Sequence, residues 1–175
     1  MLQYKQLLKG GFILYTGKYF IEKLGLKQHP EGGYYSECHK SSDIINASAV
    51  DEAFDGDRRL WTSIYFLLKD REVSCFPRIK SDEIWYYHSG TPLVIHMITK
   101  EGELKRVRLG LDVEREEQPQ VLVPKGCIFG AMMDGPGYSL VGCMVSPGFE
   151  FGDFELPARE YLIREYPQHE LVIKR

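Results

Sequence analysis

The chain has 175 residues, of which 43% are hydrophobic and 27% are charged, and its formal net charge is -3. A chain of this length and composition buries enough apolar surface for one folded domain, which excludes an intrinsically disordered protein. Lysine and arginine are scattered along the sequence rather than clustered. A membrane-spanning helix needs about 20 apolar residues in a row, and every apolar run in this sequence is much shorter. We therefore expect no nucleic-acid partner and no membrane partner.

The chain begins with a segment that we expect to lie outside the folded domain. The apolar patch within Met1–Tyr15 is too short and too interrupted for a secretory signal peptide. We assign this segment as an N-terminal extension and place the single domain at residues 16–175. A helix is predicted where the domain starts, because Thr16 can cap its N-terminus, an apolar stripe follows, and Gly25 can close its C-terminus.

From Gly33 onward the apolar residues recur with a period of two, which is the pattern of β-strands. Turns containing glycine, proline, aspartate or lysine separate short segments rich in tyrosine, isoleucine and valine. Because helices are predicted only at the ends, the pattern predicts an all-β antiparallel sandwich or barrel. The predicted strands are Tyr34–Cys38, Leu60–Leu68, Val73–Ile79, Glu83–His88, Leu93–Thr99, Leu104–Leu109, Gln120–Val123, Cys127–Met132 and Tyr138–Val145.

Three segments depart from this series of strands. Lys40–Asp57 is polar and acidic and is predicted to form a long surface loop, and Asp112–Gln118 is a charged connection typical of a solvated surface. Ala158–Tyr166 has helical spacing, and Pro167 can stop it, so the chain is predicted to end in a helical tail.

The four cysteines indicate a reducing compartment. They lie in apolar or β-branched stretches, and none forms a Cys-x-x-Cys pair. This usage predicts reduced, buried thiols in a cytoplasmic protein rather than a disulfide framework or a zinc site. The residues are Cys38, Cys75, Cys127 and Cys143.

The densest group of polar and aromatic residues is Phe76–Gly90, in which two short strands flank a polar corner. The alternation of the second strand places Glu83, Trp85 and Tyr87 on one face. Counting across the turn that follows, we expect His96 to lie nearly opposite Trp85 in a hairpin. A single histidine on a strand is typically a hydrogen-bonded structural residue, so no histidine is predicted as a ligand.

These residues carry a resemblance to the cupin superfamily, whose members are double-stranded β-helices of the jelly-roll type. Glu83 is followed after six residues by Gly90, as at the end of the first cupin motif, and Pro124-x-Gly126 matches the centre of the second. The sequence is also similar to a branch of small single-domain cupins, largely without assigned function. That similarity rests on five ordered segments: His29–Tyr35, Tyr65–Leu68, Ser81–Trp85, Val123–Gly126 and Pro147–Glu155.

The resemblance implies an all-β cupin fold with an N-terminal helix and a C-terminal helical tail, but the metal ligands of the family are missing. A cupin metal site needs about three histidines and one glutamate. The histidine positions of the first motif fall on Phe76–Ile79, and that of the second falls on Phe129. Only Glu83 remains, and one carboxylate cannot hold a divalent metal tightly. We predict neither a metal nor another cofactor.

Glu83 has two interpretations. A carboxylate pointing into the barrel would have a raised pKa and would be a candidate general acid or base. A carboxylate tied to Arg78 or Lys80 would instead brace the corner. The nearby aromatic residues are either plain core or a cavity wall, and a wall suits the polar atoms of tryptophan and tyrosine better. The candidate ligand-binding residues are Tyr35, Glu37, Tyr65, Arg78, Glu83, Trp85, Tyr87 and Phe129.

Gly33–Glu37 is similar to the Gly-x-Phe-x-Glu strand with which dTDP-sugar epimerases contact nucleotide across their dimer. The resemblance implies a homodimer and a binding role for Tyr35 and Glu37. Gly32 stands where those enzymes carry arginine, and their catalytic histidine would fall near Pro77. An ordinary edge strand is the alternative interpretation.

The sequence thus predicts a cytoplasmic cupin that binds a small polar or aromatic molecule inside the barrel without a metal, as a homodimer. One alternative is a sugar or nucleotide-sugar epimerase or isomerase that uses Glu83 or a tyrosine as its acid–base group. Another is a structural or storage-type cupin with a closed core. An open cavity with Glu83 at its floor would separate the first two from the third.

Overall fold

The computed structural model describes residues 5–7 and 13–175. The extension predicted for Met1–Tyr15 lies partly outside the described residues. Its described parts, β1 (Lys5–Leu7) and β2 (Ile13–Tyr15), pair as antiparallel strands.

The predicted N-terminal helix is confirmed as α1 (Gly17–Lys23). The Thr16 hydroxyl accepts a hydrogen bond from the Tyr19 N–H at 3.3 Å, which satisfies one of the free amides of the first turn. Gly25 follows the helix with a φ of +62°, a left-handed conformation that glycine adopts without strain.

Two sheets contain nearly all the other strands, as the all-β prediction requires. In spatial order, the first sheet comprises β14 (Gln120–Val123), β10 (Asp82–Gly90), β16 (Tyr138–Ser146), β7 (Thr62–Lys69), β4 (Tyr34–Lys40) and β3 (Lys27–Gln28). The second comprises β13 (Glu117–Gln118), β12 (Leu104–Leu109), β11 (Leu93–Ile98), β15 (Ile128–Met133), β9 (Arg78–Ile79) and β17 (Phe154–Glu155), with β8 (Val73–Ser74) also paired to β15. Neighbouring strands are antiparallel except β12 and β13.

The hydrophobic core lies between the inner faces of these sheets. Phe66 and Trp85 of the first sheet pack in one cluster with Ile95 and Phe129 of the second. The helical tail makes a separate cluster, in which α2 (Arg159–Glu165) and α3 (Glu170–Ile173) join residues of the second sheet. The predicted helix Ala158–Tyr166 is therefore confirmed. No helix among residues 5–7 and 13–175 is long and apolar enough to cross a membrane.

Three local predictions differ from the structure. The strand predicted as Val73–Ile79 is divided into β8 and β9, since Pro77 between them has no N–H for a sheet ladder. The loop predicted at Lys40–Asp57 contains β5 (Ile44–Asn46), which pairs with β6 (Asp57–Arg59). The prediction that His96 lies opposite Trp85 in a hairpin is wrong. The turn after β10 leads into the other sheet, where His96 lies opposite Gly130 and Arg106.

All four cysteines are free. Cys127 and Cys143 are buried, whereas Cys38 and Cys75 are partly exposed.

Candidate functional site

A cavity of about 340 Å³ lies inside the barrel and opens to solvent. Its volume is within the range of small-molecule sites in proteins. Its polar lining includes Lys27, His29, Glu31, Glu37, Glu83 and Cys143. Its aromatic lining consists of Tyr35, Phe129, Phe149, Phe151 and Phe154.

Glu83 lies on β10, and its inward direction follows the predicted alternation of the strand. The residue is only 7% exposed. Burial raises the pKa of its carboxyl to about 7, although the Trp85 indole N–H and the Cys143 thiol beside it favour the charged form. The buried Trp85 Nε1 lies outside hydrogen-bond geometry and has no partner among the described residues.

The brace interpretation of Glu83 does not agree with the ion pairs in the structure. Arg78 pairs with Glu155 at 2.6 Å, and Lys80 lies 3.4 Å from Asp153. Within the described part of the chain, Glu83 forms no ion pair at all. Its carboxyl is therefore a buried group of the cavity rather than a tie across the corner.

A second buried carboxyl, that of Glu31, lies in the loop before β4. The Ser74 hydroxyl donates a hydrogen bond of 2.7 Å to Glu31 Oε1, and the Cys75 N–H donates to the Glu31 carbonyl at 2.8 Å. Burial raises the pKa of the Glu31 carboxyl to about 8; the Ser74 hydrogen bond opposes this shift, and the nearby charge of Glu83 contributes to it. The two carboxyls are thus electrostatically coupled.

The backbone that presents Glu31 depends on a glycine. Gly32 has a φ of +104°, and a Cβ at this position would lie 2.3 Å from the Val73 carbonyl oxygen. A larger residue would push the loop away from β8 and would move Glu31 away from Ser74. Glycine at position 32 is therefore a requirement of the site.

His29 is a neutral member of the cavity wall. Its side chain is 9% exposed, and its Nδ1 accepts a hydrogen bond from the Glu31 N–H at 3.3 Å. An accepting Nδ1 requires the tautomer that carries its proton on Nε2. Burial lowers the pKa of the ring to about 4, so the ring does not balance the charge of Glu31, whose Oε1 lies 3.9 Å away.

The aromatic wall comes from the segment that precedes and forms β17. The ring centroids of Phe149 and Phe151 are 5.2 Å apart, and those of Phe149 and Phe154 are 6.1 Å apart, in edge-to-face geometry. Asp153 anchors this segment from within by accepting two hydrogen bonds, of 2.6 and 2.9 Å, from the buried guanidinium of Arg58.

The open end of the cavity carries two exposed charged residues. Lys27 Nζ lies 5.2 Å from the centroid of the Tyr35 ring, within the range of a cation–π contact. The Glu37 side chain is half-exposed and pairs with Lys40 at 2.8 Å.

The structure brings four of the eight candidate ligand-binding residues to the cavity: Tyr35, Glu37, Glu83 and Phe129. Trp85 does not line it. Its indole is 1% exposed and packs behind the wall, with ring centroids 5.6 Å from Phe66 and 6.3 Å from Phe129.

The other three candidate residues also lie away from the cavity lining. Tyr65 faces the outside of the first sheet, where it packs in the cluster beneath α1. Arg78 points to the surface and pairs with Glu155. Tyr87 is on the inner face as predicted, but its hydroxyl donates to the Gly90 carbonyl and so closes the end of its own strand.

The most informative residues of the cavity were not predicted. Two segments of the sequence contain them, and each was recognised only as a family motif. His29–Tyr35 contains His29 and Glu31, and Pro147–Glu155 contains the phenylalanines of the wall. A carboxylate followed directly by two glycines was the available signal, since such a loop brings its backbone close to another strand.

The residues at the family's metal positions do not fit a metal ion. Ile79 and Phe129 are buried apolar members of the core, and Phe76 packs under the helical tail. Within residues 5–7 and 13–175, no three histidine, cysteine, aspartate or glutamate side chains are grouped as a metal site would require.

Comparison with known proteins agrees with this architecture. A family model described as Cupin superfamily (DUF985) matches residues 18–157. A protein from Shewanella oneidensis with a crystal structure is 52% identical and superposes with a TM-score of 0.83, over 92% of this chain and 96% of that one. A hypothetical protein from Leishmania major is 41% identical, with a TM-score of 0.83, over 91% of this chain and 97% of that one.

More distant structures share the fold alone. An oxalate decarboxylase from Bacillus subtilis is 15% identical, with a TM-score of 0.51, over 85% of this chain and 36% of that one. No functionally curated protein matches the sequence.

Proposed function

The chain belongs to the cupin superfamily, in the family DUF985, and from this premise we propose that its barrel binds one small organic molecule without a metal. The observation that carries the proposal is the cavity of about 340 Å³ with two buried carboxyls. Burying a carboxyl that has no ion-pair partner costs free energy, so such groups are typical of functional sites rather than of packing. The four free cysteines favour a cytoplasmic location.

A structural or storage-type protein has no need of this cavity. A closed core of the same residues would be filled by side chains at the density of a protein interior. The open space beside Glu83 therefore favours a binding role over the structural alternative.

A second candidate function is that of an epimerase or isomerase. Two buried carboxyls whose pKa values are raised into the neutral range can differ in protonation near neutral pH, so that one acts as acid and the other as base. A nucleotide-sugar substrate is disfavoured, because Lys27 is the only lysine or arginine among the described residues that line the cavity. A diphosphate needs more positive charge than one exposed lysine supplies.

Ligand binding is expected to change the fluorescence of Trp85. The indole touches Phe129 of the cavity wall and lies beside the Glu83 carboxyl, so an occupant alters its surroundings without direct contact. Because the chain has two tryptophans, a Trp61→Phe variant isolates this signal. We expect a thermal-shift screen of sugars, amino acids, amines and nucleotides to give a compound that raises the melting temperature and changes the Trp85 emission.

The same compound should bind to a Glu83→Gln variant more weakly by roughly 1–3 kcal/mol, because the amide keeps the shape but loses the charge. Glu103→Gln, at an exposed carboxylate outside the cavity lining, is the matched control and should bind nearly as the parent does. Each titration contains a chelator, so that binding is measured in the absence of free metal ions. A ligand that binds with equal affinity to both variants would contradict the proposal.

The homodimer is a separate prediction, and it depends on the edge of β4. One side of this strand pairs with β7 along its length, whereas on its other side the described residues provide only β3, which pairs with Tyr34 and Tyr35. A free strand edge is a template for pairing with a second chain. Light scattering at tens of micromolar should give twice the chain mass of 20.2 kDa. The monomer mass at that concentration would refute this prediction.

A further inference from the structure

The charges of the cavity are unbalanced. Glu31 and Glu83 are each 7% exposed, and the described residues offer neither of them an ion pair with lysine or arginine. Ser74 satisfies one oxygen of Glu31 as a neutral donor. When the carboxyls ionise, their charges therefore remain uncompensated by the protein in a region of low dielectric.

The two nitrogen-containing side chains of the cavity do not supply the missing charge. His29 Nδ1 already accepts a backbone hydrogen bond, so the ring is neutral. Lys27 lies at the exposed end, with its ammonium over the Tyr35 ring rather than against either buried carboxyl. The interior of the cavity therefore has a negative potential whenever either carboxyl is ionised.

The remaining walls suit a positive ligand as well. Phe149, Phe151 and Phe154 form a cluster of edge-to-face rings, and Tyr35 and Phe129 add two more rings to the lining. The faces of aromatic rings attract cations and also cover apolar carbon atoms. Carboxylates combined with aromatic walls are complementary to a charged nitrogen on a hydrophobic body.

We infer that the ligand of this cavity is a small organic cation, namely a protonated amine carried on an apolar or aromatic body. This inference rests on the proposed binding function and names its ligand class. The ammonium group lies against Glu83 and Glu31, where it provides the countercharge that the protein lacks. The body lies against the phenylalanines. Carboxylate and phosphate ligands are repelled from the same place.

Proton release on binding is a direct consequence of this arrangement. An ammonium ion favours the ionised carboxyls, whose pKa values are about 7 for Glu83 and about 8 for Glu31. Affinity for an amine should therefore rise from about pH 6 to about pH 8, while the amine itself stays protonated. The other titratable groups facing the cavity are Lys27, His29, Tyr35, Glu37 and Cys143.

The experiment uses three probes of similar shape and different charge: phenethylamine, phenethyl alcohol and hydrocinnamate. Each is titrated into the full-length Trp61→Phe protein, with Trp85 fluorescence and calorimetry as readouts. We expect phenethylamine to bind more tightly than either other probe. Calorimetry near neutral pH in two buffers of different ionisation enthalpy should show that the amine releases protons on binding.

Glu83→Gln should weaken phenethylamine binding by at least about tenfold, as expected for the loss of one charge-assisted contact. The same change should alter the affinity for phenethyl alcohol by less than about threefold. Glu31→Gln gives an independent test at the second carboxyl, and Glu103→Gln, at an exposed carboxylate outside the cavity lining, serves as the control.

The outcomes separate the ligand class from the binding function. Should phenethyl alcohol or hydrocinnamate bind more tightly than the amine, the cation inference is wrong and the cavity remains a binding site. If none of the three probes changes Trp85 fluorescence or the melting temperature at millimolar concentration, the cation inference is overturned, and the proposed function is overturned as well only if the broad thermal-shift screen also gives no ligand.

Discussion

Replacing Asp153 by asparagine is expected to lower the free energy of unfolding by about 3–5 kcal/mol. Asp153 accepts two hydrogen bonds from Arg58, and the two side chains are only 2% and 9% exposed. The amide keeps the shape of the carboxylate but leaves the guanidinium buried without its countercharge. Urea denaturation followed by far-ultraviolet circular dichroism measures the loss.

A matched control lies two residues further along the chain. Glu155 pairs with Arg78, but these side chains are 54% and 41% exposed, so Glu155→Gln should cost only about 0–1 kcal/mol. Equal losses in the two variants would show that the Arg58–Asp153 pair is not a special anchor. Because Asp153 lies between Phe151 and Phe154, its loss should also weaken ligand binding under conditions in which the variant remains folded.

Replacing Glu83 by leucine is expected to stabilise the protein at high pH. Burial raises the pKa of this carboxyl from its ordinary value of 4.5 to about 7, so the folded state holds its proton more tightly than the unfolded state. Protonated Glu83 makes its full contribution to the free energy of unfolding at pH values below the ordinary pKa of 4.5. That contribution is lost as the pH rises through the folded-state pKa of about 7. From about pH 5 to about pH 9, the parent should therefore lose on the order of 2–3 kcal/mol more stability than the variant.

Melting temperatures measured across this pH range check the prediction, with Glu37→Gln as the half-exposed control that should follow the parent. His29 is the same in both proteins, so its opposite dependence at acidic pH cancels in the difference. A Glu83→Leu variant that unfolds readily and still binds ligand normally would identify Glu83 as a structural residue.

The sequence was sufficient for the fold because the informative patterns are local. The period of two in the strands and the cap at Thr16 depend on neighbouring residues, and the structure confirms both. The failures occurred where a distant contact decides the structure. The turn after Gly90 continues into the second sheet rather than into a hairpin, and only the packing of two sheets determines that path.

The site could be predicted only in part, for the same reason. The alternation along β10 placed Glu83 in the interior correctly. Alternation does not distinguish a residue at the cavity wall from one a layer behind it, and Trp85 lies behind. Glu31 lies on a loop without any period, and its burial depends on Ser74, which is 43 residues away in the sequence.

The loop that carries Glu31 links the two sheets. It joins β3 to β4 of the first sheet, which also holds Glu83, and its hydrogen bonds to Ser74 and Cys75 attach it to β8 of the second sheet. A molecule that contacts both carboxyls therefore holds this loop against β10 and strengthens the link between the sheets. An occupied barrel should resist separation of its halves, and this resistance should appear as slower hydrogen exchange in β8 and β10 together.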